Sequence, residues 1–272
     1  SANSKPAEER TKRRVRARQK INSAMVGVRK PNAFDGEIFA LAVPTLGAVL
    51  IDPCLSLVDT GYVGRLGALS LAAIGPCAAA FNFVFVTASC AFMVSTSVVV
   101  SEQRAVNDIE SIGRTLTLAS SLSVALGIVM AVVFYKHSAG LLSLMGAPPE
   151  VMGIAVSYLR WRATAFPANL FLLVACGAFR GMGEPKAGLM NAIIVGLVNL
   201  VLDPLLMFGC GLGVAGAAIA TATAQWVGAL VYLKYMWSRR KQLGLGGRAS
   251  IPGVKDVKQL VGNGGMMILR QV

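Results

Sequence analysis

The chain has 272 residues, of which 55% are hydrophobic and only 14% charged, with a mean hydropathy of +0.63 and a formal charge of +13. A soluble domain carries about 25% charged residues, so this composition excludes an ordinary water-soluble globule and points to a bilayer. The charge does not make a nucleic-acid surface, because it gathers at the two ends of the apolar region without accompanying aromatics or a recognition motif.

Residues 1–33 are polar, basic and free of aromatics, and read as a disordered tail that sets topology or meets anionic lipid. An organelle-targeting reading of this tail is poorly served by Glu8 and Glu9. Apolar runs of transmembrane length follow near 38–60, 71–100, 113–134, 161–179, 187–208 and 213–237. In lipid the backbone must satisfy its own hydrogen bonds, so these runs are expected to be helices.

The first run contains Pro44, which removes a helical hydrogen bond and bends the helix, as a static kink or a hinge. In the second, Asn82, Ser89 and Thr96 recur every seven residues and share a helical face, either as packing glue or as the wall of a wet cavity. The fourth begins at Arg160 and Arg162, which read as charges at its entrance, so no Lys or Arg is expected deep in a span. The sixth, "GVAGAAIATATAQ" at its start, offers small residues for close helix approach, with Thr221 and Gln225 one turn apart. A seventh run begins near Gln259 and is interrupted at Val272; with Ser1 as first residue, the chain reads as a piece of something longer. The expected organisation is a tail over 1–33, a six-span lobe over 34–240, and a cytoplasmic linker with the start of span seven over 241–272.

Basic residues cluster before span one, after span six and in the turns after spans two and four, which puts the N-terminus on the cytoplasmic side. Cys54, Cys77, Cys90, Cys176 and Cys210 lack CxxC spacing and read as buried free thiols. No cofactor or metal site is expected.

Three acids stand well inside spans: Asp52, Asp59 and Asp203. Each costs about 2.5–3.5 kcal/mol near a helix centre, which a packing role does not require. Asp52 and Asp59 lie two turns apart on one face, and Asn199 lies one turn from Asp203. If spans one and five meet, carboxylates and an amide converge on a site that holds a proton by mutual desolvation, or ligates a hard cation such as sodium. Asp52 and Asp203 each precede a proline, so a helix-break role stands beside this one. Catalytic sets are missing from the pattern. The only histidine, His137, sits in a turn, and no HExxH, DxxD or phosphate loop appears.

The stretches "VDTGYVGRLGALSLAAIG" (58–75), "YLRWRATAFPANL" (158–170), "FRGMGEPKAGL" (179–189) and "NLVLDPLLMFGCGLGVAGAAIATATAQ" (199–225) resemble the multidrug and toxic compound extrusion family, in its DinF-type, plant citrate-effluxer-like branch. The resemblance runs from about Glu37 to Val272. It implies a twelve-span transporter of two six-helix lobes, this chain being the first lobe and needing the missing C-terminal lobe as partner. By position it implies that Asp59, Asn199, Asp203 and Thr221 bind the coupling ion, H+ or Na+. Asp52, Asn82, Asn169 and Gln225 become possible cavity residues, and Pro44 the bend of span one. The turn that resembles RGxGDT reads "RGMGEP", with Glu184 and Pro185 in place of Asp-Thr.

The expectation is therefore an all-α integral membrane lobe of a cation-coupled antiporter exporting small organic solutes, organic acids or drug-like compounds, and not an enzyme. A lipid-linked oligosaccharide flippase is the alternative, disfavoured by the lack of a cation within the spans. A membrane-embedded transferase would need Asp108 and Glu110 as a metal site. The multi-pass chain fits a plastid envelope or a plasma membrane.

Overall fold

In a computed structural model of the protein, residues 33–245 are described, with a few side chains excepted, among them those of Asp52, Ser89 and Cys90. The basic tail and the start of a seventh span therefore lie outside the described residues. The chain divides into two compact units, Ser1–Ala40 and Leu41–Val272, and the second carries the features below.

Among the described residues the regular structure is all helical. It runs α1 (Ala33–Gly64), α2 (Ala68–Ala88), a π turn (Ser89–Val94), α3 (Ser95–Ala105), α4 (Ile109–Lys136) and the short α5 (Ser138–Leu144). A 3-10 turn (Pro149–Val151), α6 (Met152–Ala163), α7 (Phe166–Gly181), α8 (Pro185–Pro204), a second π turn (Leu205–Gly209) and α9 (Gly213–Ser238) follow. Among the described residues four stretches are long and apolar enough to cross a bilayer: Ala42–Gly64, Ile109–Lys136, Pro185–Gly209 and Gly213–Ser238. Large apolar side chains such as Leu57, Phe83, Val201 and Leu230 stand exposed around them, where lipid tails replace water as the solvent.

Two expected spans differ from their sequence reading. The fourth does not begin at residue 161. Pro149–Ala163 and Phe166–Gly181 form a pair bent by 49°, which together make a fifth candidate span. The cause is Pro167 in the first turn of α7, which cannot donate to the carbonyl one turn earlier and so breaks the ladder. Within the break the Trp226 indole N–H donates to the Thr164 carbonyl at 3.3 Å. The second expected span is not one long apolar helix. Helix α2 ends at Ala88, a π turn over Ser89–Val94 follows, and α3 carries Ser95, Thr96, Ser97, Ser101, Glu102 and Gln103. The extra residue per turn in a π segment shifts the helical face, so the seven-residue stripe does not survive. Asn82 lines a cleft, while Thr96 is fully buried with no partner for its hydroxyl among the described residues.

The framework is α7. It packs most extensively against α4 and also contacts α3, α9 and the first π turn. Close approach depends on glycine: a Cβ on Gly177 would stand 2.4 Å from the Met93 carbonyl oxygen, and one on Gly127 of α4 2.5 Å from Pro167 Cα. These are membrane-type contacts in which small residues let backbones touch. The thiols divide: Cys77 is buried and donates to the Ala155 carbonyl at 3.4 Å, but Cys54, on α1, and Cys210, in the bend after the second π turn, are exposed.

Glu184 forms an ion pair with Arg239, both partly exposed, so it closes the α7–α8 turn against the end of α9. Asp108 caps α4, accepting from the Ser111 amide at 3.0 Å and its hydroxyl at 2.6 Å. That is the work of a helix N-cap, and it leaves the transferase reading without its proposed metal acid.

Candidate functional site

A cleft of about 310 Å³ opens between α1, α2, α6, α7, α8 and α9. Its walls include Asp59, Asn82, Asn169, Asn199, Thr221 and Gln225. Six residues singled out from sequence thus share one space. Asp203 does not reach its surface. It is fully buried behind the wall and lies within hydrogen-bonding reach of Asp59. Neither Asp203 oxygen, nor Asp59 Oδ1, accepts from a donor among the described residues. Two carboxyls in contact without donors require a shared proton or a cation between them.

Helix geometry explains the meeting. Asn199 and Asp203 sit one turn apart on α8, just before Pro204 and the π turn that follows it. A proline removes one ladder bond and π turns recur at functional sites, so the backbone is irregular where the acid is buried. Asn199 Nδ2 donates to Thr221 Oγ1 at 3.4 Å, and Thr221 in turn donates to the Ala217 carbonyl at 2.8 Å. The Asn199 carbonyl oxygen stays available as a ligand for an ion. Helix α1 reaches α8 at few points: Leu55 and Ile51 lie against Gly196, and Leu189 against Gly47. The glycine at 196 lets span one come close enough for Asp59 to face Asp203.

Two sequence candidates stand apart. Pro44 is buried further along α1 and does not line the cleft. The side chain of Asp52 lies outside the described residues.

Sequence reasoning missed the cleft's cation. Arg162 lines it with Tyr158, which corrects the expectation that no Lys or Arg lies within a span. Because the helix starts at Met152 instead of residue 161, Arg162 falls eleven residues along it and not at its entrance. Its guanidinium donates to Gln225 Oε1 at 3.0 Å and stacks over the Phe81 ring at 5.0 Å. Phe81 is itself wedged against Phe166, ring centroids 4.8 Å apart, and Phe134 at 5.7 Å. The available signal was the polar spacing Tyr158–Arg162–Asn169, which continues one face across the bend.

With the geometry in view, comparison with known proteins is decisive. Residues 44–205 match the MatE family. The chain belongs to that family. It is 32% identical over 249 residues to Protein DETOXIFICATION 44, chloroplastic, of Arabidopsis thaliana, covering 87% of this chain and 46% of that protein. Similarity to DNA damage-inducible protein F of Escherichia coli is 27% over 216 residues, covering 78% and 46%. Among solved structures, a MOP-superfamily transporter from Pyrococcus furiosus superposes with a TM-score of 0.80 at 25% identity, over 86% of this chain and 52% of that one. The Vibrio cholerae MATE transporter VcmN in its bent form gives 0.77 at 25%, over 87% and 54%. The chain spans about half the length of the relatives it matches. MatE proteins are multi-pass membrane efflux transporters for small organic compounds and not enzymes, and the all-helical membrane fold expected from sequence agrees with them.

Proposed function

We propose that the chain is the first lobe of a cation-coupled antiporter, in which Asp59 and Asp203, with Asn199 and Thr221, bind the coupling H+ or Na+. The observation that carries this is the donor-free contact between the two carboxyls, one at the cleft surface and one sealed behind it. An ion there neutralises charge inside a low-dielectric bundle, and losing it leaves two repelling carboxylates. Asn82, Asn169 and Gln225 then face the solute. Movement of the lightly held α1 about Pro44 links the two events, and MATE relatives are described in both a straight and a bent conformation. Alternating access needs a second lobe across the cleft.

The name DETOXIFICATION 44, chloroplastic, favours a plastid envelope over a plasma membrane, and the distribution of basic residues favours an N-terminus on the cytoplasmic side or its equivalent. The flippase alternative regains some ground from Arg162, but a single guanidinium facing carboxylates suits a pyrophosphate poorly.

The test is gradient-driven export of a lipophilic cation, such as tetraphenylphosphonium, by the complete gene product in proteoliposomes. Asp203→Asn should lose ion-driven export while still binding the solute, and Pro44→Ala should slow turnover. Undiminished coupled flux in Asp203→Asn removes Asp203 from the mechanism.

A further inference from the structure

The cleft is lined by one negative and one positive side chain, Asp59 and Arg162, yet among the described residues neither makes an ion pair. In a low-dielectric cleft, opposite charges gain strongly by approaching one another. Here the guanidinium is held away instead, by a neutral amide oxygen on one side and an aromatic face on the other. The Phe81–Phe134–Phe166 cluster fixes the ring on which it lies. Gln225 and the Tyr158 hydroxyl each engage the guanidinium, and with five N–H donors in a planar fork it keeps others for an incoming group. Tyr158, beside both charged groups, adds a hydroxyl. Arg162 is close enough to act on Asp203 through space, but it forms no ion pair with either acid among the described residues.

We propose that the cleft selects small organic zwitterions, with the solute's carboxylate on Arg162 and its ammonium on Asp59. The assignment rests on the antiporter reading and adds the substrate class. It also makes the exchange direct. The coupling ion and the solute's cationic end compete for Asp59, while Arg162 holds the other end. A purely anionic solute would be repelled by the ionised acids, and a purely cationic one would leave the guanidinium uncompensated.

The test uses the purified full-length protein and three probes of matched size: 4-aminobutyrate, butyrate and butylamine. In equilibrium competition, 4-aminobutyrate should bind at least about tenfold more tightly than either single-charge probe, the effect of one charge-assisted contact. Arg162→Gln should reduce its affinity to that of butylamine, and Arg162→Lys, which keeps the charge but not the fork, should restore part of it. Equal affinity for 4-aminobutyrate and butylamine in the unmodified protein overturns the assignment, as does an unchanged affinity in a folded Arg162→Gln protein. Ion-driven efflux by the unmodified protein, assayed with both tetraphenylphosphonium and 4-aminobutyrate, separates the two levels. If that efflux is present without zwitterion preference, the substrate class falls and the antiporter stands. If zwitterion preference is present without ion-driven flux, the antiporter falls and the binding assignment stands.

Discussion

Helices α1 and α7 are both apolar and both contribute to the cleft, yet they are built for opposite purposes. In α7, ten of sixteen residues are buried, and the helix touches five neighbouring segments. Along α1, Val43, Leu46, Val49, Leu50 and Leu57 are all more than half exposed, and only toward its end does it sink in, with Val63 fully buried against Met207, Val214 and Ala217. A tightly seated helix holds Asn169 and frames the site. A loosely seated one brings Asp59, and can move without dismantling the core. The difference puts Asp59 on a helix that faces largely outward and Asn169 on one that is largely buried.

The largest expected contrast comes from the same truncation in both helices. Leu170→Ala in α7, where the side chain is 1% exposed, should cost about 2–4 kcal/mol as cavity and lost contacts, read as a lowered thermal midpoint in detergent. Leu57→Ala in α1, at 75% exposure, should change stability by less than about 0.5 kcal/mol. Comparable losses at both positions would end the distinction.

Glycine replacement gives a smaller contrast of opposite sign. Gly177→Ala puts a methyl 2.4 Å from the Met93 carbonyl oxygen, whereas Gly61→Ala meets nothing within 4 Å. The first should destabilise by about 1–3 kcal/mol and the second stabilise slightly through helix propensity. Parallel thermal melts of the two variants decide the matter.

The smallest effect lies outside the membrane. Hydrogen bonds from the Ser111 hydroxyl and amide, helped by Arg114, hold the Asp108 carboxyl below the usual carboxylate range. A lowered folded pKa contributes stability above the unfolded carboxylate value, and that stability is lost as pH falls through the folded one. Asp108→Asn should flatten this acid limb, seen as a smaller difference between melting temperatures at pH 6 and pH 3. An unchanged limb would assign the capping no energetic role.

Much of the site was legible in the residues themselves. Asp59, Asn199 and Asp203 stood out because lipid makes every polar side chain conspicuous, and helical spacing put Asn199 and Asp203 on one face. Thr221 and Gln225 were visible for the same reason, and all of these except Asp203 reach the cleft surface. Asn82 was found through a stripe that the π turn then broke. Arg162 was missed because a hydropathy window starts a span where charge ends, and here the helix starts nine residues earlier and carries the charge inside.

What the sequence by itself determined is therefore the solvent, the helical class, the rough number of apolar runs and which polar residues were expensive enough to need a purpose. Those follow from local composition and from the backbone's need for internal hydrogen bonds in lipid. Only the tertiary structure decided that Asp59 meets Asp203, that Asp203 is sealed while Asp59 faces the cleft, and that Arg162 shares that cleft unpaired. Such contacts depend on close approach at Gly196, on the bend at Pro167 and on the seating of Phe81, and each joins residues far apart along the chain.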